Sequence, residues 1–199
     1  MWPQPITFVG LGARLEPLGQ QHHDDLVEAV CDGDLWDHWY TAIPTPEGMA
    51  AEIDRRLGLM AKGSMLPFAV MALDGELTGR AVGMTTYMNI DAANRRLEIG
   101  STWYRRAVQR SALNTECKRL LLTHAFEQLD CIAVEFRTHF FNHQSRRGIE
   151  RLGAKLDGVL RNHQINPHPA AGSSLRDTCV YSIIASEWPA VKAHLNHQM

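Results

Sequence analysis

No apolar run in the 199-residue chain approaches the ~20 residues of a membrane-spanning helix, and no membrane association is expected. The opening stretch, MWPQPITFVGLGARLEPL, lacks the charged start and long apolar core of a secretory signal, so the expected location is cytoplasmic. A basic surplus is missing too: Lys and Arg number 20 against 22 Asp and Glu, giving a net charge of -2. Nucleic acid is therefore not an expected partner, and no acidic tail suggests a disordered solvating role. Cysteine is sparse. Cys31, Cys117, Cys131 and Cys179 form no CxxC pair, which removes zinc-finger spacing and a redox motif and leaves buried, reduced thiols as the expectation. Internal repeats and low-complexity segments are absent as well.

What is present fits one domain over residues 1–199. RLEPLGQQHHDDLVEAVCD reads as a short strand and a helix from about Gln20 to Cys31. The next helix starts at a Thr45 cap with Pro46 at its first position, carries Ala50, Ile53, Leu57 and Met60 at helical spacing, and stops at Gly63. Phe68 to Leu73 and Arg80 to Ile90 read as strands joined by an Asp74-Gly75 hairpin turn. RRLEIGSTWYRR is a third strand, completing an antiparallel meander. A long helix follows, roughly Ala112 to Leu129, whose apolar stripe (Leu113, Cys117, Leu121, Leu122, Phe126, Leu129) reads as core. CIAVEFRTHF alternates as a strand, NHQSRRGIERLG is a short helix capped by Gly153, and NHQINPHPAAGSSLRD is a loop. TCVYSIIA is the last strand, and a final helix begins near Trp188-Pro189. The order β-α-α-β-β-β-α-β-α-β-α implies an α/β (α+β) domain with a central mixed sheet and helices on both faces.

Three stretches hold chemistry. VQRSALNTE, between the third strand and the long helix, is a turn whose unpaired N–H groups suit an anion, although Ala112 and Asn114 stand where glycines commonly do. Asn142 and Ser145 form an Asn-x-x-Ser pair at a strand-to-helix junction, which fits an ordinary N-cap. Glu98, in LEIG, is a carboxylate on a strand. It is either a buried base or a solvated residue paired with Arg95 or Arg96. His139, His143, His163 and His168 invite a metal reading, but scattered surface or substrate-pocket histidines account for them, and no metal is expected.

With these elements placed, the chain resembles the GNAT superfamily of acetyl-CoA-dependent N-acetyltransferases, and most closely its ribosomal-protein N-terminal (RimJ/RimL-like) branch. The resemblance is carried by LEIGSTWYRRAVQRSALNTECKRLLLTHAFEQL, VEFRTHFFNHQSRRGIERLGAKLDGVLRNH and RDTCVYSII, and spans nearly the whole chain. It implies acetyl-CoA as acyl donor and an amine as acceptor. The family's pyrophosphate loop falls on Gln109, Arg110, Ser111, Ala112, Leu113 and Asn114; Ala112 replaces the motif glycine, and Arg106 stands where relatives commonly have proline. By the same resemblance the backbone at Trp103 and Tyr104 pairs with the pantetheine amides, their side chains packing as core. Asn142 would bind the pantetheine arm and Ser145 would approach the thiolate. Many relatives place a tyrosine acid where this chain has Ile149, which makes Ser145 the candidate acid. Glu98 is the candidate for deprotonating the amine. Arg146, Arg147 and Arg151 face either a 3'-phosphate or solvent. The acceptor stays open among a peptide N-terminus, an antibiotic amine, a polyamine and an amino acid. A catalytically weak acyl-CoA-binding sensor and an interaction domain without cofactor are the rival functions. A monomer or homodimer fits equally.

Overall fold

A computed structural model describes residues 2–166 and 168–198. The chain begins with β1 (Phe8–Val9) and β2 (Ala13–Pro17), followed by α1 (His23–Cys31) and α2 (Met49–Ala61). Next come β3 (Met65–Ala72), β4 (Ala81–Asp91) and β5 (Arg96–Tyr104), then α3 (Leu113–Glu127). The C-terminal part is β6 (Ala133–His139), α4 (His143–Arg151), β7 (Lys155–Ile165), β8 (Leu175–Ile184) and α5 (Trp188–His197). All eight strands join one sheet in the order β1-β2-β3-β4-β5-β6-β8-β7. Only β5 and β6 run parallel, because α3 crosses over between them; every other pair is antiparallel.

The sheet is covered on both sides, as its composition demands. All eight residues of β3, MLPFAVMA, are buried, so that strand reads as a continuous apolar run rather than an alternation. On one face Leu121, Leu122 and Phe126 of α3 and Trp188 of α5 pack on Tyr87, Val134 and Phe136. On the other, Leu26 and Val30 of α1 and Met49 and Ile53 of α2 pack on Ala69, Met84 and Trp103. The expected α/β sheet with a meander and helices on both faces is the observed architecture.

Several expected boundaries differ. The stretch LDGVLRNHQI, where the sequence announces no strand, forms most of β7. As an edge strand it is exposed at most positions and its register with β8 shifts twice, so it carries no period-two apolar pattern. Asp157-Gly158 adds a false turn signal there. The two-residue β1 is also unannounced. Asp74-Gly75 makes no two-residue hairpin: the connection runs from Ala72 to Ala81 through a 3-10 turn at Gly75–Leu77, with positive φ at Gly75 and Gly79. The second helix starts at Met49, not Pro46. Thr45 instead caps the turn that leads into it, its Oγ1 accepting from Gly48 N–H at 3.1 Å. Cys117, Cys131 and Cys179 are buried free thiols, whereas Cys31 is exposed.

Candidate active site

The parallel ladder between β5 and β6 contains three residue pairs: Arg96 with Ala133, Leu97 with Val134, and Glu98 with Glu135. Beyond Glu98 the strands part. β5 continues to Tyr104 beside β4, and β6 continues to His139 beside β8. A wedge-shaped gap therefore opens at the carboxyl ends of both strands, where open α/β sheets bind ligands. One extra residue in β5 bends it away: Met84 faces Trp103 and Thr86 faces Gly100, with Ser101 at φ 47°. Arg56 of α2, 2% exposed, fixes that bulge. It donates to Ser101 O (3.2 Å), Thr86 Oγ1 (2.8 Å) and Glu52 Oε1 (2.7 Å). Trp103 and Tyr104 turn to opposite faces of the sheet, and both side chains are core.

The turn after β5 brings the start of α3 to the same end. Gln109 does not reach outward: its Nε2 donates to Tyr104 O at 2.8 Å, locking the turn onto the strand. Ser111 Oγ donates to Val108 O (2.7 Å) and accepts from Leu113 N–H (3.3 Å). Arg110, Ser111 and Ala112 are exposed. The left-handed residue is Arg110 at φ 62°, while Ala112 is right-handed at φ -66°, ψ -18°. The Ala112 methyl therefore causes no backbone strain, and the helix still presents its first-turn N–H groups. These residues fit a pyrophosphate. Asn114 carries a buried Oδ1 with no hydrogen-bond partner among the described residues.

Glu116, in the first turn of α3, is buried and accepts from the N–H groups of Leu11 and of Gly12 (2.9 Å), tying the helix to the β1–β2 turn. Lys118 is also buried, donating to Thr102 Oγ1 (2.8 Å) and Thr85 Oγ1 (3.2 Å), and burial pulls its ammonium down to about 8. The face of α3 expected to be plain apolar core thus also holds Thr115, Glu116 and Lys118.

Asn142, beyond the end of β6 at His139, caps α4, its Oδ1 accepting from Ser145 N–H at 3.0 Å. Ser145 lies half-buried in the first turn, and Ile149 is buried. Arg146 lies over the Phe140 ring and donates to Tyr181 OH (3.1 Å), while Arg151 donates to Thr115 Oγ1 (3.2 Å). Arg147 is exposed.

Glu98 stands where the strands part and is 4% exposed. Its partners are not Arg95 or Arg96, which go to Asp130 and Glu135. Asn89 of β4 donates to its Oε2 at 2.7 Å, and Arg137 Nε of β6 lies 3.5 Å away. Burial pushes its carboxyl above the ordinary range against the opposing pull of Asn89 and Arg137. Across the same junction Arg96 of β5 donates to Glu135 of β6 at 2.5 Å. Asn89, Arg137 and Arg56 were missed by the sequence reading. No local pattern marks them, since each meets its partner only through strand pairing or helix docking.

The α2-side face of β6 and β8 is roofed by the segment after α1. Trp39 and Tyr40 ring centroids lie 5.1 and 6.2 Å from that of His139, and His168 Nε2 lies 3.2 Å from Trp36 O. His139 is buried, so it is a pocket residue and not a surface one. Among the described residues no three His, Cys, Asp or Glu side chains are grouped to hold a metal ion, and no helix is long and apolar enough to cross a membrane.

Residues 13–155 match the family model described as "Acetyltransferase (GNAT) domain". A curated relative from Bacillus subtilis (strain 168), named "Putative ribosomal N-acetyltransferase YdaF", is 30% identical over 114 residues, 57% of this chain and 59% of that protein. The chain thus matches less than two thirds of that relative's length. A solved GCN5-related N-acetyltransferase from Brucella melitensis is 30% identical with a TM-score of 0.83, over 98% of this chain and 86% of its own. RimL, a ribosomal L7/L12 alpha-N-protein acetyltransferase solved in complex with coenzyme A, shares the fold at a TM-score of 0.72 and 15% identity, over 89% of this chain and 96% of its own.

Proposed function

Because the chain belongs to the GNAT acetyltransferase family, we propose that it moves an acetyl group from acetyl-CoA to the nitrogen of a primary amine. The likeness to YdaF supports the ribosomal-protein N-terminal branch, with a peptide N-terminus or a small-molecule amine as acceptor. The observation that carries this reading is a buried carboxyl, Glu98, where β5 and β6 part, with an anion-suited helix start at the same end of the sheet.

The donor supplies an acetyl group already activated as a thioester. In the turn from Gln109 to Asn114, backbone N–H groups and the Arg110 charge hold its pyrophosphate, with Gln109 keeping the turn against β5. The unladdered edge of β5 at Trp103 and Tyr104 offers backbone groups to the pantetheine amides, and Asn142 approaches the same arm from α4. The amine must be neutral to attack the carbonyl carbon. Glu98, directly or through water, takes the proton the nitrogen loses as its bond to carbon forms. The carbon–sulfur bond then breaks, and Ser145 protonates the departing thiolate. These assignments are tested together by calorimetric titration with acetyl-CoA and by thiol release across a broad amine panel. Micromolar donor binding with amine-dependent thiol release is expected. No heat and no thermal stabilisation at millimolar acetyl-CoA would overturn the reading.

A further inference from the structure

A cavity of about 360 Å³ opens beside β6 and β8 on the α2 side, lined among others by Tyr40, His139, Gln164, Asn166 and Arg176. Three of its lining side chains, His139, Asn166 and Arg176, hold spare donors. His139, 3% exposed, accepts from Phe141 N–H through Nδ1 at 3.1 Å. The proton of the neutral ring is therefore on Nε2, which is buried and has no partner among the described residues. Burial, then the Arg176 charge, lower the His139 pKa against the opposing pull of Asp177, which favours the neutral ring. Asn166, 6% exposed, repeats the pattern: Oδ1 accepts from His168 N–H at 3.2 Å, and Nδ2 is buried without a partner. Arg176 is half-buried and donates through Nε to Thr178 Oγ1 at 3.1 Å. Among the described residues it makes no ion pair, and the carboxylate acting on it, at longer range, is Glu98.

The acceptor atoms of His139 and Asn166 thus each take a backbone N–H, and the two unpartnered atoms are both donors. One fixed positive charge with two neutral donors matches a monoanion with two oxygens. Leaving such donors buried and unpaired is costly, and a bound oxygen would recover that cost. The opposite end of the charge pattern is Glu98, suited to an amine. We propose that this cavity is a carboxylate receptor, and that the acceptor is an amine bearing a carboxylate, which Arg176, His139 and Asn166 bind while the nitrogen lies toward Glu98. The substrate class rests on the amine-acetylation reading above; the receptor itself does not. The carboxylate belongs either to a free amino acid or to an acidic side chain near a peptide N-terminus.

Turnover with glutamate, aspartate and their carboxamides, and with tetrapeptides bearing Asp or Asn at the second position, separates these two sources. The carboxylate form is expected to exceed its own amide by about tenfold or more in kcat/KM in at least one arm. That ratio should collapse to about twofold or less in Arg176→Gln and in Asn166→Asp, and be partly kept in Arg176→Lys. Equal use of amides by the wild type, or a ratio untouched in both variants, overturns the proposal. A second measurement needs no turnover. NMR signals of the His139 Nε2–H and the Asn166 side-chain amide should shift on titration with N-acetylglycine and not with its amide. If they shift while no amine is acetylated, the receptor stands and the transferase reading falls. If amines are acetylated and the signals stay fixed, the receptor falls alone.

Discussion

Arg110, and not Ala112, takes the left-handed position of the turn ahead of α3, so the missing glycine of the loop is a difference in sequence more than in backbone. Ala112→Gly is accordingly expected to change acetyl-CoA affinity by no more than about fivefold, read by calorimetry; a hundredfold gain, about 2.7 kcal/mol, would contradict this. Glu98 sets a second expectation. Its raised pKa means that the folded chain keeps the proton to higher pH than the unfolded chain. The stability this group contributes is complete below its unfolded pKa and is lost as pH rises through the folded one. Glu98→Gln should therefore be at least as stable as the wild type at pH 8 by thermal unfolding, with the difference closing below a pH of about 4. The same variant should lose the rising limb of the pH–rate profile. A retained limb would make another group the base. Ser145→Ala should lower turnover by about 10- to 100-fold with donor affinity nearly unchanged, because its backbone N–H, which the Asn142 cap uses, survives the substitution.

At the scale of elements, Glu116 makes one helix depend on one hairpin. Its carboxylate fills two N–H groups of the Gly10–Gly12 turn, and Glu116→Ala leaves both without their acceptor. A loss of about 1–3 kcal/mol is expected in urea unfolding. That contact was invisible in the sequence, since nothing in LNTECKRLLLTHAFE distinguishes a solvated glutamate from one folded inward. The elements that could be read were those with a strong period: α3, the alternation of β6, and the buried runs of β3 and β4. Asn142 as a cap was readable for the same local reason. β7 was not, because an exposed, twice-shifted edge strand has no face to bury and so no pattern to show. The cavity beside β6 and β8 was equally hidden. His139 ends β6, while Asn166 follows β7 and Arg176 lies in β8, and only the pairing of β6 with β8 brings them together.

Over the whole molecule, two leaves of sheet, β1–β5 and β6–β8–β7, meet along only three paired residues, while one core cluster runs behind both. Acetyl-CoA bound in the gap would contact both leaves and should stabilise them together. At a hundredfold excess over its dissociation constant it is expected to add about 2.7 kcal/mol, read as a rise of roughly 5–10 °C in Tm. The leaves are laced at their junction by two ion pairs that cross in opposite directions, Arg96 to Glu135 and Arg137 to Glu98. One lace thus ends on the carboxylate assigned to take the amine's proton. Each turnover would discharge that end and slacken its hold on Arg137, leaving the Arg96–Glu135 tie as the remaining strap. The joint would be loosest just when product has to leave, and would tighten again as Glu98 gives its proton back to water.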